Sequence, residues 1–277
     1  MAVFHSPVRR LGALLALLLT AGTVLFVGLG SSVEAVAKQP KGLDHFLCYS
    51  VNELPGASGF EIPPGVILEN QFTSASGFEP TIGPEPVLHC NPALKQVGST
   101  TYPITNPNAH SLCFPASSSV AQPTFTVKVT NQFGSAKLKT GQPALLCLPS
   151  WKSLTGPPNM TPNQPPGLSH FTCYSVSYLN AKQHYTIPSN VLAQDEFASA
   201  PVPIQIGAPV LLCVPTTKIV NGATFPAINP TAHLLCFNVS PTPKVSPIWD
   251  ENQFGTGALQ VNTTVLFCVP SLKKIVK

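Results

Sequence analysis

Charged side chains are scarce in this chain of 277 residues: Asp, Glu, Lys and Arg make up 9%, against roughly 25% in an average soluble protein. The 15 Lys+Arg and 11 Asp+Glu leave a net charge of +4, and they form no basic stripe, which argues against a nucleic-acid partner. The few acids are mostly unrepeated, so paired general acids and bases are poorly supplied. No GxSxG, HExxH or phosphate-cradling glycine loop occurs, and no catalytic residue, metal or cofactor is assigned. Beyond the N-terminus no ten-residue stretch carries a capped helical period.

Proline, at 31 residues, is about twice its average share. With 44% apolar residues and eight cysteines, the composition excludes disorder and favours an all-β, loop-rich fold. Arg9 and Arg10, the apolar stretch from Leu11 to Gly30 and the small residues before Ala37 read as a secretory signal peptide over residues 1–37. The stretch is also long enough for an uncleaved anchor. No membrane span follows it.

The rest of the chain repeats itself. HFLCY (45–49), HSLCF (110–114), HFTCY (170–174) and HLLCF (233–237) each place a His three residues before a Cys. LHCNPALK (88–95), LLCLPSWK (145–152), LLCVPTTK (211–218) and LFCVPSLK (266–273) supply a second Cys, with Pro two residues and Lys five residues after it. Between them stands a third marker: NQF at 70–72, 131–133 and 252–254, and DEF at 195–197. The units alternate long, short, long, short, and their joins alternate with them. A pair of units was therefore duplicated, which predicts β domains at 38–152 and 167–277 around a Pro-rich linker at 153–166. TFTVKVTNQF and VILENQF read as strands, and PALLCLP and PVLLCVP as short buried strands cut off by Pro.

Eight cysteines in an exported chain imply disulfides. Joining first to second Cys in each unit gives Cys48 with Cys90, Cys113 with Cys147, Cys173 with Cys213, and Cys236 with Cys268; exchange between the units of one half is the symmetric alternative. Structural zinc is disfavoured by strand parity. In an extended HFLCYSV, His45, Leu47, Tyr49 and Val51 face one way and Phe46, Cys48 and Ser50 the other, so His and Cys cannot readily share an ion.

The repeated histidines, His45, His110, His170 and His233, are read as strand-starting residues hydrogen-bonded to a neighbouring turn; acid sensing is the functional alternative. In the third marker, Asn70, Gln71, Asn131, Gln132, Asn252 and Gln253 close turns while the following Phe fills the core. Amide beside aromatic is also sugar-binding chemistry. Asp195 and Glu196, with Asp250 and Glu251 upstream of the fourth marker, read as solvated surface charge, with a calcium site as the alternative. Lys95, Lys152, Lys218 and Lys273 read as solubilising charges at strand ends.

Together LDHFLCYSV, NQF, LxCxPxxK and NPxAHxLCF resemble a family of secreted bacterial proteins of unknown function built from tandem copies of such units. The resemblance covers nearly all of the chain after the signal; it implies export and repetition and brings no activity. The fold expected is two homologous disulfide-stapled β-sandwich or barrel domains, each of two related β-units. The function expected is a secreted, non-enzymatic binding or structural protein of the extracellular space or cell surface, with a glycan or cell-surface polymer as the kind of ligand. The alternative is a secreted carbohydrate-active or hydrolytic enzyme with its site between the halves.

Overall fold

The computed structural model describes residues 40, 42–56, 59–159, 165, 167–180, 183–242 and 247–276. The signal peptide expected over 1–37 and part of the Pro-rich run, at 160–164 and 166, lie outside them. Every regular element among the described residues is a β-strand. The first repeat supplies β1 (His45–Glu53), β2 (Ile67–Glu69), β3 (Thr81–Ile82), β4 (Leu88–Val97) and β5 (Thr100–Tyr102). The second supplies β6 (His110–Ser117), β7 (Thr126–Asn131) and β8 (Gly134–Ser153). The third adds β9 (His170–Tyr178), β10 (Val191–Gln194), β11 (Val202–Pro203), β12 (Ile206–Val220) and β13 (Ala223–Phe225). The fourth ends the chain with β14 (His233–Val239), β15 (Ile248–Asn252) and β16 (Gly255–Ile275).

The two cysteine-bearing strands of each repeat close one antiparallel barrel, in the order β4, β1, β16, β14, β12, β9, β8, β6 and back to β4. Val36–Lys277 is accordingly one compact unit, not the two domains expected at 38–152 and 167–277. Each half contributes a half-barrel with two unpaired edges, and unpaired edges seek partners. Here β1 pairs with β16 and β8 with β9, so each half satisfies the other.

Strand parity sets the two layers. Phe46 and Cys48 face the barrel interior, while Leu47, Tyr49 and Val51 face an outer apolar layer. The same alternation turns Leu88 and Cys90, and their counterparts in the other repeats, inward. The space left among them is about 20 Å³, about one water's worth. The interior is thus a packed core rather than a ligand channel.

The structure bridges Cys48–Cys90, Cys113–Cys147, Cys173–Cys213 and Cys236–Cys268. Each bridge joins residues directly opposite one another, with Cα atoms 3.8–4.0 Å apart. Such close approach belongs to the non-hydrogen-bonded positions of an antiparallel ladder, where side chains come nearest. The register also explains the prolines. Two residues beyond each second cysteine, Pro92, Pro149, Pro215 and Pro270 occupy the same kind of position, with their nitrogens turned away from the disulfide-linked strand. The strand on that other side has not yet begun at this level, so the missing donor breaks no ladder bond. Contrary to expectation, the strands are not cut off there: β4, β8, β12 and β16 all run on past their proline.

Outside the barrel lie the third markers. In each, the first side chain accepts a hydrogen bond from the backbone N–H of the Phe two residues on: Asn70 to Phe72 (2.9 Å), Asn131 to Phe133 (2.8 Å), Asp195 to Phe197 (3.0 Å) and Asn252 to Phe254 (2.7 Å). This is the Asx turn that short polar side chains favour. In the short repeats the turn closes a two-residue hairpin, pairing Asn131 with Gly134 and Asn252 with Gly255. Both glycines have positive φ, at 108° and 129°, a conformation other residues rarely adopt.

Candidate functional site

Because the second strands continue past proline, the lysine five residues after each second Cys is carried beneath the outer layer. Lys95 and Lys218 are each 1% exposed, which corrects the expectation of strand-end solubilising charges. Each ammonium lies over the marker ring of the next repeat: Lys95 5.0 Å from the Phe133 centroid, Lys152 4.2 Å from Phe197, Lys218 4.9 Å from Phe254, and Lys273 4.0 Å from Phe72. The fourth repeat thereby clamps the first, and the cation–π contacts run in a closed cycle. Burial lowers the Lys95 pKa to about 7 and those of Lys218 and Lys273 to about 8. It lowers that of Lys152 too, opposed by the nearby Glu196, Asp195 and Asp250.

The histidines join the same cycle. His45 Nε2 donates to Gln132 Oε1 (3.0 Å) and His170 Nε2 to Gln253 Oε1 (3.0 Å), while His110 Nε2 lies 3.3 Å from Glu196 Oε1. The same oxygens of Gln132 and Glu196 also take Lys95 and Lys152. Gln132 and Glu196 therefore each stand between the His and the Lys of the preceding repeat, while Gln253 takes the His. The fourth case differs: Gln71 Nε2 donates to the Pro230 carbonyl (2.8 Å), and His233 Nδ1 donates to the Thr231 carbonyl (2.9 Å). Burial, reinforced by the adjacent lysines, holds His45 and His170 down to about 3 and His233 to about 4. His110 is also held well below its usual range, by burial, then by His89 and Lys152. In the folded protein these imidazoles are neutral near pH 7.

One sector departs from the repeat. His89 and Asn91 stand where the other repeats have Leu146 and Leu148, Leu212 and Val214, or Phe267 and Val269. Asp250 stands where they have Leu68, Val129 and Ala193. These departures, written in different repeats, meet in space. His89 Nδ1 lies 2.9 Å from Asp250 Oδ2 and its Nε2 lies 2.7 Å from Asn91 Oδ1. Asn91 Nδ2 donates to Asp195 Oδ2 (2.8 Å), which also accepts from the Tyr49 hydroxyl (2.9 Å). His110 Nδ1 lies 3.0 Å from Asn91 Oδ1, and the Ser150 hydroxyl donates to Asp250 Oδ2 (3.0 Å). Asp195 and Asp250 are buried, so neither is the solvated charge expected from the sequence. Glu196, with a side chain 41% exposed, does reach solvent while pairing with Lys152.

Sequence reasoning singled out Asp195, Glu196 and His110 but missed His89, Asn91 and Tyr49. The usable signal was the departure from the repeat pattern, LHCN against LLCL, LLCV and LFCV. Chemically the cluster is not a hydrolase centre. Ser150 donates to Asp250 rather than to His89, and His89, Asn91, Ser150 and Asp250 are sealed from solvent, leaving no nucleophile–base pair open to substrate. No group of three His, Cys, Asp or Glu among the described residues could hold a metal ion.

Space for ligands lies outside the barrel, beside the markers. A pocket of about 440 Å³ is lined by Lys218, Phe225, Gln253 and Glu251. Another, of about 330 Å³, has Tyr49, Asp195 and Phe197 in its wall, and a third, of about 320 Å³, is lined by Asn70, Gln71, Thr73 and Thr217.

The family described as Repeat of unknown function (DUF7450) matches residues 113–270, from the first cysteine of the second repeat to the proline of the fourth. The chain belongs to this family. No curated protein and no solved structure matches it. Within this DUF7450 chain, the four bridges fit an oxidising compartment outside the cytoplasm. Among the described residues no helix is long and apolar enough to cross a membrane.

Proposed function

We propose that this protein is a secreted, non-enzymatic module of the extracellular space or cell surface that binds a glycan or cell-surface polymer at its marker loops. The observation that carries this reading is the use made of the repeated residues. The cysteines, the lysines and most of the marker side chains bond to one another, building a rigid support, while the open pockets sit beside the marker loops and carry amides, hydroxyls and ring edges. Rigid elements presenting polar loops suit recognition, because little ordering accompanies binding. The disulfide belt suits an oxidising compartment, where thiols are not kept reduced.

The test is to purify residues 38–277 and measure capture on immobilised glycans, peptidoglycan and whole cells, alongside turnover of polysaccharide and ester substrates. Saturable capture without turnover is expected. Turnover abolished by Asp195→Asn with Glu196→Gln would replace this reading with the enzymatic one.

A further inference from the structure

Each disulfide staples strands of one repeat, and none crosses from one repeat to the next. At the junction of the first repeat with the second, the groups that meet are a nucleophile, an acyl carbon and a proton donor. Lys95, 1% exposed, ends in contact with Gln132 Oε1. The same oxygen accepts from His45 Nε2 at 3.0 Å. The Tyr102 and Phe133 rings wall the amine, 4.3 and 5.0 Å from Nζ, and the Phe267 ring stacks on His45 at 5.6 Å. Burial lowers the Lys95 pKa to about 7, so much of the amine is unprotonated and nucleophilic near neutrality. His45, held neutral, presents its Nε2 proton to the carbonyl, which polarises it and suits the oxyanion that attack on Cδ creates. Groups held in contact react without the cost of an encounter.

The other junctions each depart from this arrangement. At the second, the middle marker residue is Glu196, which forms an ion pair with Lys152; an ammonium is no nucleophile and a carboxylate is a poor electrophile. At the third, Gln253 takes His170 while the Lys218 ammonium lies 4.9 Å from the centroids of Phe225 and Phe254. At the fourth, Gln71 turns to the Pro230 carbonyl, and Lys273 Nζ has no hydrogen-bond partner among the described residues.

We propose that Lys95 and Gln132 join without any other enzyme into an isopeptide bond that ties the first repeat covalently to the second. Lys95 Nζ attacks Gln132 Cδ, and the negative charge that gathers on Oε1 is held by the His45 N–H. The proton that Nζ sheds passes to the Gln132 amide nitrogen, which leaves as ammonia while the carbonyl re-forms. One C–N bond forms and one breaks, so no oxidant or reductant is needed. The new amide is uncharged. Lys95 therefore titrates only before joining, and in the joined protein the alkaline response is left to Lys218 and Lys273. Unlike the disulfides, this link survives reduction, and it holds whether or not the marker loops bind a glycan.

The experiment is peptide mapping by mass spectrometry of the purified protein after full reduction and alkylation. Trypsin should fail to cut at Lys95, and a branched peptide containing Lys95 and Gln132 should appear, lighter by one ammonia than its two parts together. Lys95→Met keeps the aliphatic stem and should restore the linear Gln132 peptide at its full mass. His45→Phe should slow joining, so that the unjoined peptides accumulate. Linear Lys95 and Gln132 peptides at full mass in the wild-type protein overturn the proposal, whatever the variants do. Ammonia still lost from the Gln132 peptide in Lys95→Met overturns it too, and equal joining in folded His45→Phe overturns the role given to His45.

Discussion

Cys48 Sγ lies 3.8 Å from Cys268 Sγ, although the two sulfurs belong to different bridges and their residues are 220 apart in sequence. Cys147 and Cys173 (3.8 Å) and Cys213 and Cys236 (3.9 Å) repeat the relationship at other junctions. Neighbouring bridges are offset across each junction, with Cys268 opposite Phe46 and Cys48 opposite Leu266, which keeps all eight sulfurs on the inner face. The bridges thus form a belt within the barrel, in contact at three of the four junctions.

The belt makes the bridges mutually dependent. Loop entropy alone assigns about 4 kcal/mol to a bridge closing some 40 residues. Replacing Cys236 and Cys268 by Ala should cost about that much or more, because the cavity adjoins the Cys213 bridge. Denaturant midpoints of the paired Ala variants would check it. A loss below about 1 kcal/mol would show that the belt is packing filler rather than a clamp.

How far this was legible in the sequence follows from the range of each interaction. The parity of HFLCYSV places Cys48 inside and His45 outside because alternation is local. The closure of β1 on β16 is not local: nothing near His45 says that its strand pairs with the chain's end, so the halves read as separate domains. The burial of Lys95 was hidden for a different reason. Proline ordinarily ends a strand, and only the barrel register shows that Pro92 points its nitrogen where no ladder bond is lost. The convergence of His89, Asn91, Asp195 and Asp250 was written in the repeat, as four departures from pattern, but which departures touch depends on how the outer strands cross the barrel.

Because each half has two open barrel edges, residues 38–152 alone should not give a stable monomer. Size-exclusion chromatography and circular dichroism of the oxidised half-chain should show dimers, aggregates or an unfolded chain. A monomer with native-like thermal cooperativity would mean that the halves are independent after all.

The buried histidines predict acid lability. His45 and His170 are held to about 3 and His233 to about 4, whereas unfolded histidine takes its proton near 6.5. Between those values the unfolded chain binds more protons, so stability is full above about pH 6.5 and falls as pH drops toward 3. The loss is on the order of 2 kcal/mol per histidine between pH 6.5 and 5. Guanidinium midpoints at pH 7 and pH 5 should differ clearly, and a flat profile would contradict the neutral, buried assignment.

The lysines act at the other end of the scale. Lys95, Lys218 and Lys273 have folded pKa values lowered to about 7 or 8, below the unfolded value of about 10.4. The unfolded chain again binds more protons in between, so stability should rise from about pH 7 toward pH 10. Tyr49 and Tyr185, raised by burial, reverse the trend above about pH 10, when unfolded tyrosines ionise. Lys273→Met should raise Tm at pH 7 by a few degrees, and Lys152→Met should lower it, since among the described residues Lys152 has a carboxylate partner, Glu196, and the other three buried lysines do not. Equal shifts in the two variants would refute the distinction.

The polar cluster predicts how four similar repeats find their places. Outer strands pair with chosen partners, β15 with β8 and β7 with β16, yet the apolar contacts at these positions are nearly interchangeable between repeats. Only one arrangement brings Asp250 to His89 and Asp195 to Asn91, and any other buries them unpaired, at several kcal/mol. The hypothesis is that this cluster fixes register, as single buried polar residues do in coiled coils. Asp250→Val alone should therefore destabilise by about 3–5 kcal/mol, since it strands His89 and Ser150. Combining it with His89→Leu and Asn91→Leu, which copies the second repeat's own apolar residues, should recover part of that loss while reducing fidelity. Refolding the reduced triple variant and mapping its disulfides should give more non-native pairs than the wild type. Recovery of stability with unchanged pairing would show that the cluster adds nothing to register.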